Sequence, residues 1–479
     1  MRVRRLGALS LALITLLVFV GASEATTIVT MAANPASIVE TEDTVVPDMS
    51  NPDYWKARVV GDQTAVLMDA SQIEAYNQLA LATSDAKMND IVNMGGAYDA
   101  SSLASSLANE ALDIAKGKNI YVNGTLVDRD EYFAACAQII LSTALTGTQY
   151  PRYTVAVSRT DINAWPTNAF IGYSATDSDN EACNSALNVN EPFLVKQQCQ
   201  YNGVLYLYGY STNCSGWVLA RDLAVCDNRS QWLDAWQTST SGKDFIVVTQ
   251  NAFTLESDAY LPYVNGLRLT LGTTLKLVPD DQIPDSLAAR APWHNYVVYV
   301  PTRDENGRYV KRIALISEHN SVSVGYLPFT QANIIDVALS CLGDRYGWGG
   351  SQGAMDCSLY ARNIYKCFGF ELPRNTTWQQ TVPGTYVDAS EAPDQVKVSF
   401  LQSMPAGTLL YMPGHAMIYL GTVDGTPYCI SALGSVSAST GEVAVRSINS
   451  IAITPLTVRR RSGATWLTSI TCIVNPRGF

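Results

Sequence analysis

The sequence predicts a multidomain protein with a helical N-terminal cap, two small β-barrels and an α+β domain at the C-terminus. Three changes of pattern along the 479 residues lead to this prediction. Apolar residues recur at helical spacing between about residues 49 and 148. Short alternating strands separated by turn residues follow up to about residue 328. Mixed helices and strands fill the remainder, which is typical of an α+β domain.

The first 25 residues have the order of a secretory signal peptide. Three arginines precede an apolar stretch that ends near Val20, and the small residues at the ends of Ser23–Ala25 form a cleavage site. An uncleaved membrane anchor is the alternative, but this stretch is shorter than the roughly 20 residues that a spanning helix needs. We therefore expect residues 1–25 to be a signal peptide and residues 26–50 a linker. The chain should be exported to the periplasm, cell wall or medium without stable insertion in a membrane.

The charge and composition of the chain limit the kind of molecule that it can bind. The net charge of −11 argues against nucleic acid, because nucleic-acid binding relies on basic surface. Charged residues make up only 16% of the chain and tyrosines number 25, a profile that suits strand-rich exported modules.

Four of the ten cysteines cluster in the first strand-rich region, and an exported chain can oxidise them. They are Cys183, Cys199, Cys214 and Cys226. Two local disulfides are the expectation, with a connectivity that sequence alone does not define. A zinc site is the competing interpretation, but the spacings are not of the Cys-x2-Cys type and no histidine lies nearby. We expect no metal.

The helical prediction for residues 51–149 depends on two segments. Ser71–Glu74 resembles a capping box, and Glu131–Leu145 carries apolar residues at helical spacing. These apolar residues are Phe133, Cys136, Ile140 and Ala144. No residue of this region indicates chemistry.

Two consecutive barrels of about equal size are predicted from alternating strands in residues 150–228 and 229–329. The clearest strands of the first are Val155–Val157, Phe193–Val195, Val204–Tyr208 and Gly216–Leu219. Those of the second are Asp244–Val248, Leu267–Leu271, Tyr296–Val300 and Gly325–Pro328.

Residues 330–479 contain the run that indicates chemistry. A helix capped by Thr330 comes first, and then the Gly-rich turn 343–350 leads to Asp356-Cys357-Ser358 at the start of a second helix. A cysteine at a helix N-terminus lies at the positive end of the helix dipole, which favours the thiolate. Free backbone N–H groups at the same place can stabilise an oxyanion. Cys357 is therefore the candidate nucleophile, and a buried structural or disulfide-bonded cysteine is the alternative.

A thiol nucleophile needs a base, and the chain has only three histidines. His415 follows Pro-Gly and begins an apolar strand pattern. His294 lies beside a proline and a tryptophan, and His319 lies in a polar turn, so both are interpreted as surface or packing histidines. His415 is the candidate base.

In this C-terminal region the sequence resembles the catalytic domain of the NlpC-type cell-wall endopeptidases, a papain-like bacterial family. Four motifs occur here in the family's order. They are the Gly-Tyr-x-Trp-Gly-Gly-type turn at Tyr346–Gly350, Asp356-Cys357-Ser358, Leu372-Pro373-Arg374 with Gln379, and Gly414-His415. Residues 150–228 and 229–329 resemble two bacterial SH3-like domains, and residues 51–149 resemble the helical stabilising domain of one branch.

The resemblance implies specific roles in this chain. Cys357 would be the nucleophile and His415 the base, and the Tyr346 hydroxyl would help to stabilise the oxyanion. Asp356 and Ser358 would bind the ammonium group of a stem peptide, with Glu191 of the first SH3-like domain as a further candidate. Simple packing of Tyr346, simple capping by Asp356 and a solvated Glu191 are the alternatives.

One departure from the family pattern concerns the residue that orients the base. Relatives commonly place a second histidine on the next strand, whereas Ser431 stands at the equivalent position here. A serine hydroxyl can fix the imidazole tautomer but supplies no charge to an imidazolium. Ser431 is thus either the orienting residue or a plain strand residue.

The expected function is hydrolysis of peptidoglycan stem peptides at the γ-D-glutamyl–diamino acid bond by a cofactor-free monomer. The SH3-like domains would narrow the groove and favour short free peptides over intact wall. A non-catalytic peptidoglycan-binding protein and an amidase or acyl transferase on the same fold are the alternative functions.

Overall fold

The computed structural model describes residues 48–382, 385–437 and 445–475. The predicted signal peptide and all but the end of the predicted linker lie outside the described residues. Within the described ranges, no helix is both long enough and apolar enough to cross a bilayer.

The N-terminal region contains helices and short strands, and its role as a helical cap stays a prediction. Its helices are α1 (Pro52–Lys56), α2 (Ala70–Ala82), α3 (Ala100–Asp113) and α4 (Arg129–Thr143). Its short strands are β1 (Val66–Met68), β2 (Tyr98–Asp99), β3 (Ile120–Val122), β4 (Thr125–Val127) and β5 (Thr148–Gln149). The predicted capping box at Ser71–Glu74 is wrong by two residues, because Asp69 caps α2 and exchanges hydrogen bonds with Gln72. A carboxylate accepts N–H bonds strongly at this position.

The two halves of this region pack against different partners. Trp55, Ile73 and Tyr76 share a core with the C-terminal domain, and β1 pairs with a strand at Phe329–Thr330. Helices α3 and α4 share another core with the first strand-rich region. Phe133 of α4 lies in this core. The helical region therefore connects two other parts of the molecule.

Residues 150–228 form the predicted strand-rich region. Its strands are β6 (Arg152–Ala156), β7 (Thr160–Asn163), β8 (Ile171–Gly172), β9 (Cys183–Leu187), β10 (Pro192–Tyr201), β11 (Val204–Tyr210), β12 (Ser215–Leu219) and β13 (Leu223–Val225). Seven of them pair in the order β13-β6-β10-β11-β12-β7-β9, while β8 extends the β3–β4 hairpin. Strands β10 and β11 approach each other closely at Gly209. A Cβ at this position would lie 2.3 Å from the Leu194 carbonyl oxygen.

Residues 229–328 begin with a helix and continue with short strands. The elements are α5 (Arg229–Trp236), β14 (Phe245–Val248), β15 (Ala252–Thr254), β16 (Arg268–Thr270), β17 (Thr274–Lys276), β18 (Asn295–Arg303), β19 (Tyr309–Ser317) and β20 (Val322–Val324). The strands pair as β17-β14-β20, β15-β16 and β18-β19. The predicted strand at Gly325–Pro328 is wrong, because Gly325 adopts a φ of 68° and ends β20.

The strand-rich regions are confirmed, but closed barrels are not. The described strand pairings run in open orders in both regions. The SH3-like character of these regions stays a prediction.

The C-terminal domain is α+β, as predicted. Its helices are α6 (Gln331–Leu339), α7 (Cys357–Lys366), α8 (Thr376–Gln379), α9 (Asp394–Leu401) and α10 (Trp466–Ser469). Its strands are β21 (Phe329–Thr330), β22 (Thr385–Asp388), β23 (Leu409–Met412), β24 (His415–Val423), β25 (Thr426–Ser437), β26 (Val445–Pro455) and β27 (Cys472–Asn475). Six strands pair in the order β22-β27-β23-β24-β25-β26, and α7 packs on β24 and β25. Thr330 caps α6, as predicted.

The expectation of two local disulfides in the first strand-rich region is wrong. All ten cysteines of the chain lie in the described residues, and all are free thiols. Cys199 and Cys226 belong to different apolar cores, whereas Cys183 lies on β9 and Cys214 directly precedes β12. Closeness in sequence therefore does not pair these cysteines.

Candidate active site

The Gly-rich turn brings the C-terminal domain against the first strand-rich region. Gly349 and Gly350 have φ values of 68° and 94°, which favour glycine. A Cβ on Gly349 would lie 2.1 Å from the carbonyl oxygen of Cys183 on β9. The turn therefore needs glycine both for its conformation and for its close approach to β9.

Asp356 caps α7 and pairs with Arg374. Its carboxylate accepts a bond from Leu359 N–H at 2.9 Å and from Gly349 N–H at 3.0 Å. The Arg374 guanidinium donates to both carboxylate oxygens, at 3.2 and 2.7 Å. Burial raises the pKa of Asp356, but the charge and hydrogen bonds of Arg374 outweigh it and lower the pKa. Both oxygens are thus occupied within the protein, which favours the capping role over contact with substrate.

Helix α7 begins at Cys357, as the sequence predicts. The side chain is 8% exposed, and its sulfur lies 3.8 Å from the Thr376 hydroxyl and interacts with the backbone N–H of Ala416. The predicted lowering of the thiol pKa is wrong. Burial and the Asp356 carboxylate raise this pKa to about 11, against smaller lowering effects from Ala416 and Thr376.

His415 is the first residue of β24, as the sequence predicts. Its Nε2 lies 3.0 Å from the Ser431 hydroxyl on β25, and its ring packs on Trp466 with centroids 5.0 Å apart. Burial and the positive charge of Arg460 lower the imidazole pKa to about 4. The imidazole is therefore neutral at physiological pH, and Nε2 is the ring nitrogen that contacts Ser431.

Cys357 and His415 line one cleft. Its volume is about 1080 Å³. The sulfur interacts with the backbone N–H of Ala416. Ala416 is the residue next to His415, so Cys357 lies close to the backbone that carries the imidazole. The cleft thus contains both a thiol and an imidazole, the two groups that thiol–imidazole chemistry combines.

The cleft lies where three parts of the chain meet. Its walls include Lys87 and Asn89 from the helical region, Cys183–Asn184 and Asn213–Ser215 from the first strand-rich region, and α7, α8 and the β23–β24 turn from the C-terminal domain. The second strand-rich region contributes no residue to the described lining.

Tyr346 and Ser358 also line the cleft. Burial raises the pKa of Tyr346, with smaller contributions from the charges of Asp356, Cys357 and Asp179, so its hydroxyl stays protonated and able to donate. Ser358 is 4% exposed; its hydroxyl donates to Asp356 at 3.2 Å and accepts from Arg374 at 3.0 Å. Ser358 thus stabilises the Asp356–Arg374 pair at the start of α7.

Glu191 lies away from the cleft. Its carboxylate pairs with Lys366 and, at 3.2 Å, with Arg362 on α7. Burial raises the pKa of Glu191, but these two cations outweigh it and bring the pKa to about 2. The assignment of Glu191 to substrate is therefore wrong, because the carboxylate binds α7 to the first strand-rich region.

The other two histidines take no part in the site. His294 is on the surface, 3.5 Å from Glu318, with 91% of its side chain exposed. His319 begins no regular element and lies in an exposed turn. No group of three or more His, Cys, Asp or Glu side chains in the described ranges is arranged to hold a metal.

Sequence reasoning missed several contacts of the site. Ser185 accepts from Arg374 Nε at 2.9 Å, Thr376 contacts the sulfur, and Trp466 contacts the imidazole. The Leu-Pro-Arg-Asn-Thr run was a usable signal for Arg374 and Thr376. Ser185 and Trp466 come from distant segments, and nothing in their local sequence indicates the site.

These features define a thiol–imidazole site in an α+β domain. Residues 343–458 match the model of the NlpC/P60 family, so this part of the chain is an NlpC/P60 domain. The family comprises cell-wall peptidases of the cysteine type.

Comparison with solved structures finds one that shares the fold. An NlpC/P60 endopeptidase from Photobacterium damselae subsp. piscicida is similar with a TM-score of 0.67 at 14% identity, over 91% of this chain and 99% of that chain. An NlpC/P60 family protein from Bacillus cereus ATCC 10987 has a TM-score of 0.37 at 17% identity, over 61% of this chain and 82% of that one. The first likeness extends the shared fold well beyond the matched domain. No curated protein matches the chain in sequence.

Proposed function

We propose that the chain is an exported cysteine peptidase that hydrolyses peptidoglycan stem peptides, with Cys357 as nucleophile and His415 as base. One observation carries the proposal: the Cys357 sulfur lies at the start of α7 and against the backbone of Ala416, next to the imidazole. The scissile bond proposed is γ-D-glutamyl to the diamino acid, which rests on the resemblance to the NlpC-type enzymes.

The raised thiol pKa and the lowered imidazole pKa support general-base catalysis. Both groups are neutral in the free protein. The thiol proton passes to His415 Nδ1 as the sulfur attacks the carbonyl carbon. The Tyr346 hydroxyl and the first N–H groups of α7 donate to the oxyanion. The imidazolium then protonates the leaving amine, and His415 activates the water that hydrolyses the thioester.

The amino terminus of the substrate needs an acidic partner other than Asp356 or Glu191, because both are paired inside the protein. Asp179, in the segment between β8 and β9, lies outside the described cleft lining, but its charge contributes to the raised pKa of Tyr346, which belongs to that lining. We assign the ammonium group of a stem peptide to this side of the cleft. The walls from two other regions support short free peptides as substrates.

Cleavage of L-Ala-γ-D-Glu-diamino acid by the purified protein tests the proposal. Wild type should release the diamino acid, and Cys357→Ala should lose the activity entirely. Thr381→Ala, which alters a hydroxyl outside the cleft lining, is a control that should cleave like wild type. Cleavage that persists in Cys357→Ala would exclude Cys357 as the nucleophile.

A second candidate function is peptidoglycan binding without catalysis. The observation that favours it is the Ser431 hydroxyl against His415 Nε2, a neutral group where a charged orienting group would stabilise an imidazolium. Peptide binding by wild type without product formation, shown by calorimetry and mass spectrometry on the same sample, would establish it.

A further inference from the structure

The cleft is cationic although the chain is acidic. Its described lining contains five cationic side chains and one carboxylate, whereas the whole chain carries −11. The carboxylate is Asp356, which is neutralised by its pair with Arg374. The other cations of the lining are Lys87, Arg459, Arg460 and Arg461, of which Arg459 donates to the Gly463 carbonyl oxygen. The cleft is therefore suited to a ligand with negative charge.

The three consecutive arginines are placed beside His415. They occupy the connection between β26 and α10. The Arg460 guanidinium donates to the Pro413 carbonyl oxygen at 3.1 Å, two residues before His415. Its charge contributes to the lowered pKa of that imidazole. Arg461 follows on the exposed rim of the same wall.

The loop is shaped by its own hydrogen bonds. Arg460 N–H donates to the Ala464 carbonyl oxygen, and Gly463 N–H donates back to the Arg460 carbonyl oxygen, both at 2.9 Å. Gly463 has a φ of 85°, which closes the turn. The turn presents Arg460 and Arg461 from a constrained backbone, which lowers the entropy cost of binding a ligand with both side chains.

The chemistry assigns a side of the cleft to each half of a substrate. In acyl transfer the imidazole protonates the leaving amine, so the leaving residue lies on the imidazole side of the nucleophile. The arginines flank His415 and therefore lie beside the leaving residue. Guanidinium groups bind carboxylates through paired N–H donors.

We propose that Arg460 and Arg461 form a subsite for a free carboxylate on the residue that follows the scissile bond. This inference rests on the proposed function and defines its substrate class. The preferred substrates are peptides whose leaving residue carries an unblocked carboxylate, and peptides amidated at that position are poor substrates.

The test compares two peptides, L-Ala-γ-D-Glu-diamino acid with the α-carboxylate of the diamino acid either free or amidated. Wild type should favour the free acid by about ten- to hundredfold in kcat/KM, the range of a charge-assisted hydrogen bond. Arg461→Gln should reduce this preference to within a few fold. Arg461→Lys should keep part of it, because charge remains and the paired donors are lost.

Arg221→Gln is the matched control, since this arginine is 76% exposed and lies outside the described lining. It should keep the wild-type preference. The same preference in Arg461→Gln, in Arg460→Gln and in the double variant would overturn the subsite.

Binding measurements distinguish a failure of the subsite proposal from a failure of the proposed function. The same two peptides are titrated into Cys357→Ala protein by calorimetry, with and without Arg461→Gln. A preference for the free acid that disappears with Arg461→Gln supports the subsite even where wild type cleaves neither peptide. Equal affinity for both peptides in Cys357→Ala overturns the subsite even where wild type cleaves both.

Discussion

At the scale of single residues, the contact between His415 and Ser431 is the part of the site that departs most from the resemblance. The hydroxyl lies 3.0 Å from Nε2 and is fully buried on β25. A neutral partner fixes the ring without providing charge. Ring orientation thus depends on one neutral hydrogen bond and on packing against Trp466.

Ser431→Ala should reduce kcat about tenfold and leave KM within a factor of two, because a neutral hydrogen bond is worth about 0.5–1.5 kcal/mol. Ser431→Thr keeps a hydroxyl and should recover most of the rate. Steady-state kinetics of the three proteins test this. Equal loss in the alanine and threonine variants would show that Ser431 acts through packing alone.

The pH dependence of the activity follows from the shifted pKa values of His415 and Cys357. His415 is neutral, and so able to accept a proton, above a pH of about 4, and Cys357 keeps its proton up to about 11. We expect kcat/KM to rise through pH 4 and then to stay flat across neutral pH. Iodoacetamide alkylation of Cys357 should be slow at neutral pH and accelerate toward pH 11.

Alkylation that is already fast in mildly acidic solution would contradict this prediction. It would indicate a thiolate–imidazolium pair, since only the thiolate reacts. Alkylation of the Cys357→Ala variant measures the contribution of the other nine cysteines, which is subtracted.

At the scale of elements, the start of α7 depends on a buried ion pair. Asp356 and Arg374 have side chains only 9% and 5% exposed. The pair connects the Gly-rich turn, the helix start and, through Ser185, strand β9. The same network therefore holds the nucleophile and the wall of the cleft.

Arg374→Met should lower the free energy of unfolding by about 3–5 kcal/mol, because it leaves a buried carboxylate without its cation. Lys116→Met removes the cation of an exposed pair, Lys116–Asp113, with side chains 67% and 72% exposed. That control should change stability by less than about 1 kcal/mol. Urea unfolding measures both, and similar small effects would refute the structural role of the Asp356–Arg374 pair.

At the scale of the whole molecule, the N-terminal segment is part of the C-terminal domain's core. Trp55 is fully buried, donates to the Met49 carbonyl oxygen at 2.7 Å and packs on Tyr428. Lys56 pairs with Asp336 of α6 at 2.5 Å. The start of the described chain thus packs on the C-terminal domain.

Trp55→Ala should destabilise the C-terminal domain by about 3–5 kcal/mol, the usual cost of deleting a large buried aromatic. Hydrogen exchange should increase in α1, α6 and β25. Phe133→Ala, in the core shared with the first strand-rich region, should instead increase exchange in α3 and α4. Identical exchange patterns in the two variants would show that the two cores unfold as one.

The sequence by itself determined the features that follow from local rules. The helix that begins at Cys357, the strand that begins at His415 and the cap at Thr330 were all predictable from neighbouring residues, because caps, periodicity and glycine turns act over a few positions. The motif order also led to the NlpC/P60 domain that the family model matches.

Tertiary structure alone decided the properties that depend on burial and on distant partners. The thiol pKa rises because desolvation and Asp356 outweigh the lowering effects of Ala416 and Thr376. Glu191 binds α7 rather than substrate, and the clustered cysteines are free thiols. Dielectric environment and contacts between remote segments are set only when the chain is packed, so no local pattern encodes them.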